Sequence, residues 1–535
     1  MSEPEPLLPS TERGGPLGWR AAGLLFAAAL AFRLAYLGKA MLDPSFFTPW
    51  LDARGYLQWA QAIATGNHAS PAVFFHAPLY PYWLAFTLFL GRGDLVFVRV
   101  MQILLGAATA ALLGALGARL FGRAAGVLAG LLCATTATLV VFDLELLSES
   151  LFVALCVVAL LALERTTREP SSGWLFGLGL LLGLATIARP TVLIFVPVAV
   201  LLCAGAARAH EWSWPKTLRG AGIVVLGAIL PIVPVTLHNL LVGHDLVLIS
   251  SQGGVNLFIG NNANADGHTA ADLGPTDTPP YAKDGTFTDN IMSSARFLAS
   301  EAVGRSLKPS EVSAFWFRRA LAWIVGQPRA WAALTLRKVL YLTLGFEGGD
   351  NKNLTYVFDD WRPFAFMARW WWLFPLAVAG LSAPGARRGR LLLGSFAATY
   401  GIAIVAFIVI ERFRLPLYPV LCVLAARFLV WSVAAARCRR WGSLAPRLAL
   451  VAALLAWTNW NPVGYSESER IASRLARAAT SETSGDAATA ERLYLDALEI
   501  DRFWPSARQA YGSFLVRQGR LGEARVYLGP AALPR

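Results

Sequence analysis

APLYPYWLAFTLFL, residues 77–90, is the stretch on which the topology of this chain turns. It is almost wholly apolar, but it falls short of the about 20 residues that an α-helix needs to cross about 30 Å of hydrocarbon. We read it as a half-buried helix on the membrane surface; the alternative is a full crossing. Longer apolar blocks lie on either side, and only helices satisfy their own backbone polar groups in lipid. These blocks predict spans at 19–37, 98–118, 124–141, 147–163, 173–188, 190–207, 218–238, 364–382, 391–410, 414–434 and 445–460.

Loop charge decides between the two readings of 77–90. Without a crossing there, one side of the membrane receives Arg13, Arg20, Arg119, Arg123, Arg165, Arg168, Arg208, Lys216, Arg219, Arg387, Arg388, Arg390, Arg437, Arg439, Arg440 and Arg447. The short loops opposite receive Asp143, Glu145, Glu149, Arg189, Glu411, Arg412 and Arg414. That asymmetry follows the positive-inside rule, and a crossing at 77–90 would flip every later loop and break it. Residues 1–18 then form a cytoplasmic tail. Ala21–Leu37 runs on without a small-residue cleavage site and reads as a retained first span.

The expected fold is an all-α polytopic membrane protein with about eleven transmembrane helices. An N-terminal membrane module covers 19–238 and carries a first outward loop at 38–97. A large outward loop, 239–363, contains turn-rich stretches at Gly260-Asn261-Asn262 and Gly274–Pro280, then amphipathic helices near 311–325 and 329–345. A second membrane module follows at 364–460. The tail, 465–535, is different in kind. Gly485, Ala490, Tyr494 and Ala497 recur 34 residues later as Gly519, Ala524, Leu528 and Ala531. That is the tetratricopeptide period, and it predicts a small outward-facing helical repeat; plain amphipathic helices are the competing reading.

Composition agrees with burial in lipid: 56% of the 535 residues are hydrophobic and only 15% charged, where soluble domains carry about 25%. The 47 Lys and Arg outnumber the 34 Asp and Glu. In a soluble chain that balance suits nucleic acid, but here the arginines sit at the ends of apolar blocks, so nucleic acid is not an expected partner. Four of the five cysteines lie in apolar blocks and Cys438 in a basic loop, so no disulfide framework is implied. No Walker A loop, dinucleotide glycine fingerprint, zincin helix or serine-hydrolase elbow occurs in a supporting context, which argues against a nucleotide-driven engine.

Outward acidic groups gather in two places. In Leu51-Asp52-Ala53-Arg54-Gly55-Tyr56, Asp52 and Tyr56 are four apart and share a helix face. In Phe142-Asp143-Leu144-Glu145-Leu146-Leu147-Ser148-Glu149, Glu145 and Glu149 share a face at the mouth of a span. Carboxylates at membrane depth are costly and are functional candidates by default; a helix cap and an arginine-paired interfacial charge are the ordinary alternatives. Cations stand beside the membrane in Ala188-Arg189-Pro190 and in Glu411-Arg412-Phe413-Arg414-Leu415-Pro416. Arginine binds phosphate bidentately, so these two loops suggest an anionic lipid head, with snorkelling or acid pairing as the alternative. His76, in Phe75-His76-Ala77-Pro78-Leu79-Tyr80-Pro81, could bind metal or phosphate or serve structurally. The run Gly253–Asn262, with Asn256, Asn261 and Asn262, could hydrogen-bond a sugar or simply form turns.

Together these residues resemble the GT-C superfamily of membrane glycosyltransferases, and most nearly its family 39 type, which includes protein O-mannosyltransferases and the aminoarabinose transferase of lipid A. The resembling features are Asp52 in the first outward loop, the Pro-Leu-Tyr-Pro run at 78–81, the acidic second loop ending in Ser148-Glu149, Arg189-Pro190, the Gly253–Asn262 loop, and Arg412-Phe413-Arg414-Leu415-Pro416 before a late span. The resemblance covers roughly residues 20–435. It implies a polyprenyl-phosphate sugar donor whose phosphate lies at the outer face, and attack by an acceptor from the opposite side with inversion at the anomeric carbon.

Carried over, Asp52 is the base or acceptor-positioning group. Glu149, with Glu145 or Asp143 as alternates, orients the acceptor or a divalent metal. Arg189, Arg412, Arg414 and His76 hold the lipid phosphate, and Tyr56, Asn256, Asn261 and Asn262 face substrate. Relatives differ in carrying Lys or Arg at the position of His76, Asp in the second loop, and in metal dependence. The implied location is a bacterial inner membrane with the site facing the periplasm, and the tail presents a partner or acceptor. A transporter or lipid flippase, and a non-catalytic envelope assembly protein, are the alternative functions.

Overall fold

The computed structural model describes residues 15–43, 46–47, 49, 51–66, 72–268, 273, 287–346, 354–460, 465–483 and 485–528. The expected turn at Gly274–Pro280, most of the N-terminal tail and Ala531 of the repeat lie outside these.

The first half runs α1 (Trp19–Ala40), α2 (Leu51–Ala64), α3 (Leu79–Leu90), α4 (Leu95–Phe121), α5 (Arg123–Ala134), α6 (Ala137–Phe142), α7 (Glu149–Arg168), α8 (Ser172–Ala188), α9 (Phe195–Ala209) and α10 (Trp214–Leu241). Next come α11 (Gly253–Gly260), α12 (Phe287–Val303), α13 (Pro309–Gly326), α14 (Pro328–Thr343) and α15 (Leu354–Asp360). The second membrane module holds α16 (Trp370–Ser382), α17 (Arg387–Ala406), α18 (Glu411–Arg414), α19 (Leu417–Arg437) and α20 (Trp441–Thr458). The tail is α21 (Tyr465–Thr483), α22 (Ala487–Ile500), α23 (Pro505–Arg517) and α24 (Leu521–Leu528).

The chain is an all-α, multi-pass membrane protein. Among the described residues, eight helices are long and apolar enough to cross a bilayer: α1, α4, α7, α10, α17, α19, α20 and the segment Pro190–Ala209, which opens with a 3-10 turn before α9. The other three expected spans appear as shorter helices, α5 with α6 for 124–141, α8 for 173–188 and α16 for 364–382. At 12 residues, α3 is too short to cross.

Residues 124–141 break into two helices for a local reason. The Thr135 and Thr136 hydroxyls bond back to the Leu131 and Leu132 carbonyls, which competes with helix continuation. The backbone left over pairs instead with the strand-like residue before α16: Ala368 N donates to Thr135 O at 2.6 Å and Ala137 N to Ala368 O at 2.9 Å. These bonds give backbone at the break partners inside protein, the condition for irregular chain at membrane depth.

Small residues set the tightest helix contact. A methyl at Gly179 or Gly183 of α8 would collide with the carbonyl of Val224 or Ala228 in α10. Close backbone approach of this kind is how helices pack where lipid supplies no hydrophobic drive. It fixes α8, and with it the arginine that follows.

A buried polar knot fixes the second acidic loop. Arg33 of α1 pairs with Asp143, Nε to Oδ2 at 2.7 Å, and Gly106 of α4 leaves the room, since a methyl there would collide with the carboxylate. Arg99 donates to Leu144 O at 2.9 Å and Phe46 O at 2.7 Å. Gln102 accepts from the Tyr80 hydroxyl and donates to Asp143 O and Glu145 O. Residues 143–145 are therefore held from both sides by α4, which sets where α7 begins.

The tail packs α21 to α24 around a core of its own that includes Ile471, Ala490, Tyr494, Ala497, Tyr511, Phe514 and Ala524. Gly485 and Gly519 both take positive φ, 87° and 76°, at corresponding inter-helix turns. A side chain would be strained there. The tail meets the C-terminal end of α1 through an Arg477–Asp43 ion pair at 3.2 Å, beside Lys39–Asp360 at 3.0 Å.

Candidate active site

Four segments distant in sequence converge at one end of the helical bundle. Helix α2 begins at Leu51, so Asp52 stands in its first turn, while Ala53, Leu57 and Ala60 are buried. Phe75 and His76 lie in the irregular stretch that leads into α3. Helix α8 ends at Ala188 because Pro190 disfavours a helical residue before it. Arg189 is accordingly extended, at φ −153° and ψ 110°. Arg412 and Phe413 sit on the single turn α18 between α17 and α19.

These segments enclose a cavity of about 410 Å³ lined by Asp52, Tyr56, His76, Ser148, Arg189, Asn256, Tyr400, Arg412 and Phe413 among others. Both arginines on its wall are paired with an acid, Asp52 on the wall itself and Glu149 behind it. Arg412 Nη1 lies 2.5 Å from Asp52 Oδ2, and Arg189 Nη2 lies 2.9 Å from Glu149 Oε1. Each pair leaves little of its side chains exposed, 15% and 8% for the first and 13% and 1% for the second, so solvent screens neither as it would a surface pair.

Glu149 Oε2 and Arg189 Nη1 are both buried with no hydrogen-bond partner among the described residues. Buried polar atoms are nearly always satisfied. Arg189 lines the cavity, while Glu149 stands behind it, next to the wall residue Ser148. The Tyr56 ring lies 5.6 Å from His76 and 5.2 Å from Tyr80. Burial, with Asp52 and Glu149 nearby, pushes the Tyr56 hydroxyl well above its usual pKa. It is a neutral donor throughout the physiological range.

Phe413 links the two pairs. The Arg189 guanidinium carbon lies 4.8 Å from its ring centre and that of Arg412 5.3 Å.

The other residues singled out from the sequence fall elsewhere. Asp143 is engaged by Arg33, and Glu145, half-buried, is not on the cavity wall. Arg414 turns away from the cavity into a buried cluster: it pairs with Glu411 and donates to Leu344 O and Phe346 O, under the Trp370 ring. Asn261 and Asn262 use their amides on backbone. Asn261 Nδ2 donates to Leu257 O and Ala406 O, each at 2.9 Å, and Asn262 Nδ2 to Phe258 O at 2.8 Å. They shape the wall that Asn256 occupies. Helix α11 is pressed between neighbours, and a methyl at Gly254 or Gly260 would strike the Ser313 or Phe407 carbonyl.

Sequence reading assigned no role to Tyr400, Gln252 or Ser148, all on the cavity wall. Tyr400 lies inside an apolar run where a tyrosine reads as core. It also overlooked Lys338, fully buried beneath α11, whose Nζ donates to Asn261 Oδ1 at 3.1 Å. Burial lowers the Lys338 pKa to about 8. With the folded value below the unfolded value of about 10.4, the unfolded chain binds more protons between these pH values. Stability from this group therefore rises with pH across that window. Thermal melts of wild type and Lys338→Met in detergent, from pH 7.5 to 10.5, are expected to show wild type gaining on the variant as pH rises. A pH-independent difference would contradict the buried-amine account.

Among the described residues, no three His, Cys, Asp or Glu side chains assemble as a metal-ligand set. Asp52 and Glu149 each have an arginine on one oxygen.

Residues 75–238 match the family model described as dolichyl-phosphate-mannose-protein mannosyltransferase. That segment runs from Phe75 to His238 in α10 and contains Glu149 and Arg189, in agreement with the resemblance read from the sequence. No curated protein matches the chain. Among solved structures, the chain is similar to ArnT from Cupriavidus metallidurans bound to undecaprenyl phosphate, at 16% identity and a TM-score of 0.41, over 93% of this chain and 74% of that one. It is also similar to the Archaeoglobus fulgidus oligosaccharyltransferase in its apo form, at 14% identity and a TM-score of 0.45, over 84% of this chain and 57% of that one. A third similar structure is the archaeal oligosaccharyltransferase AglB from the same organism, in complex with an inhibitory peptide and a dolichol-phosphate, at 13% identity and a TM-score of 0.40, over 84% of this chain and 58% of that one.

Proposed function

We propose that this protein is a membrane glycosyltransferase that moves a sugar from a polyprenyl-phosphate donor to an acceptor at the outer face of the membrane, with inversion at the anomeric carbon. The observation that carries this reading is the cavity itself, lined by Arg189, Arg412 and Asp52, with Arg412 paired to Asp52 and Arg189 backed by Glu149. The family match over 75–238 supports it.

The donor phosphate takes Arg189 and Arg412, and Tyr56 and His76 stand beside them. The acceptor hydroxyl is oriented by Glu149 Oε2 and loses its proton to Asp52. Its oxygen attacks the anomeric carbon as the bond from that carbon to the phosphate oxygen breaks. The electron pair leaves with the polyprenyl phosphate, and the two guanidiniums meet the charge that develops there. A carboxylate suits the base role, since it accepts the proton as the new bond forms. Eleven helical segments carry this site, the eight long ones and α5, α8 and α16. The site faces the periplasm of a bacterial inner membrane. The tail is a pair of tetratricopeptide-like units that engages a protein partner or presents the acceptor.

Membranes containing the full-length protein, incubated with a panel of radiolabelled polyprenyl-phosphate sugars, are expected to pass label from one donor into a membrane acceptor. Folded protein that transfers from none of them, in membranes shown to contain an acceptor, sinks this reading in favour of transport or assembly.

A further inference from the structure

Two guanidiniums beside one cavity repel each other, and each already has a carboxylate partner. Phe413 is the one side chain among the described residues whose ring faces both: the guanidinium carbons of Arg189 and Arg412 lie within 5.3 Å of its centre. It lines the cavity and packs along the edges of two hydrophobic clusters, one in the membrane bundle and one around α11 to α13. The Phe152 ring, 5.9 Å from Arg189, backs the same cation.

An aromatic face attracts cations through its quadrupole, by about 0.5–1 kcal/mol when exposed and about 2 kcal/mol or more when desolvated. It does so without supplying a hydrogen-bond acceptor, so the N–H donors remain directed at whatever enters the cavity. An acid in this place would satisfy the arginines and remove them from the site. An aliphatic residue would fill the space and leave their planes unoriented.

From this we infer that Phe413 is a positioning residue of the lipid-phosphate site, a shared cation–π wall that orients Arg189 and Arg412 together toward a single phosphate. The inference rests on the function proposed above and deepens it. Phe413 touches no reacting atom; its effect is on where two cations point. It therefore governs the binding of the phosphate-bearing lipid more than the chemical step.

The test compares Phe413→Leu, Phe413→Tyr and Phe413→Trp in the detergent-solubilised full-length protein, with radiolabelled undecaprenyl phosphate as the probe. Leu preserves apolar bulk and removes the ring face. Wild type is expected to bind the lipid phosphate. Phe413→Leu is expected to bind it about tenfold more weakly, a change of about 1.4 kcal/mol, with donor KM raised by a similar factor and kcat nearly unchanged. Tyr and Trp are expected to restore binding to within about twofold of wild type. A purely structural role for Phe413 would not be rescued by the larger, differently shaped Trp. Wild-type affinity in Phe413→Leu, or equal loss in the Leu and Trp variants with all proteins folded, overturns the role of the ring while leaving the proposed activity standing. Absence of undecaprenyl-phosphate binding by wild type overturns the proposed activity, and the role of Phe413 with it.

Discussion

Asp52→Asn is expected to abolish sugar transfer and at the same time to tighten the hold on the lipid phosphate. The loss follows from chemistry. A positioned general base contributes about 10²–10⁴-fold, and an amide cannot take the acceptor's proton. The gain follows from the 2.5 Å pair with Arg412. A phosphate arriving at that guanidinium competes with Asp52 for it. A hydrogen bond to a charged group is worth about 1 kcal/mol more than one to a neutral group, so removing the rival charge should improve undecaprenyl-phosphate affinity about fivefold. Transfer assays and lipid-phosphate binding on the same preparation check both halves. Undiminished transfer would take Asp52 out of the mechanism and direct attention to Glu149 and Glu145. Lost transfer with weakened binding would mean that Asp52 helps to hold the donor and does not compete with it.

The second large effect concerns the fold beneath the site. Glu411 and Arg414 are each 2% exposed. The Tyr418 hydroxyl donates to Glu411 Oε1 at 2.6 Å, and Arg414 is further held by the Leu344 and Phe346 carbonyls. Breaking a buried pair from one side leaves an uncompensated charge and costs about 3–5 kcal/mol. Glu411→Ala is therefore expected to lower the melting temperature sharply. Because Arg412 and Phe413 ride on the same turn, it should weaken undecaprenyl-phosphate binding as well. The double variant Glu411→Ala/Arg414→Met should recover much of the stability, since it removes the stranded cation too. Equal stability of single and double variants would show that the pair is not what holds this turn.

The membrane architecture was largely legible because its signal is one-dimensional. A run of apolar residues long enough to span lipid becomes a helix whatever its neighbours do, so α1, α4, α10 and α19 could be placed from composition alone. The break at Thr135–Thr136 was not legible. It depends on Ala368, more than two hundred residues away, supplying the hydrogen bonds that the helix gives up. The candidate site shows the same division. Asp52, Glu149, Arg189 and Arg412 stood out because charge at membrane depth is rare. Their pairing across the cavity is a tertiary fact that no local pattern records. Arg412 and Arg414 look alike in sequence, two residues apart, yet the turn of α18 sends one to the cavity and the other into the buried cluster with Glu411. Lys338 could not be singled out at all, because in sequence it is one more cation on an amphipathic helix. In the tail, Gly485 and Gly519, 34 residues apart, both take positive φ at the turns before α22 and α24.

The pairing of both arginines also bears on which anions this protein ignores. A soluble phosphate or nucleotide drifting in from the aqueous side meets a mouth whose formal charges cancel. Both arginines already have a carboxylate beside them, so little net attraction is left to offset its own dehydration. A phosphate carried on a polyprenyl chain arrives already confined to the bilayer, next to the cavity and at high local concentration. The same contacts that would be too weak to capture a dissolved anion suffice for one that the membrane delivers. Discrimination between lipid-borne and dissolved competitors then needs no dedicated selectivity filter, because it is built into the neutrality of the resting cavity.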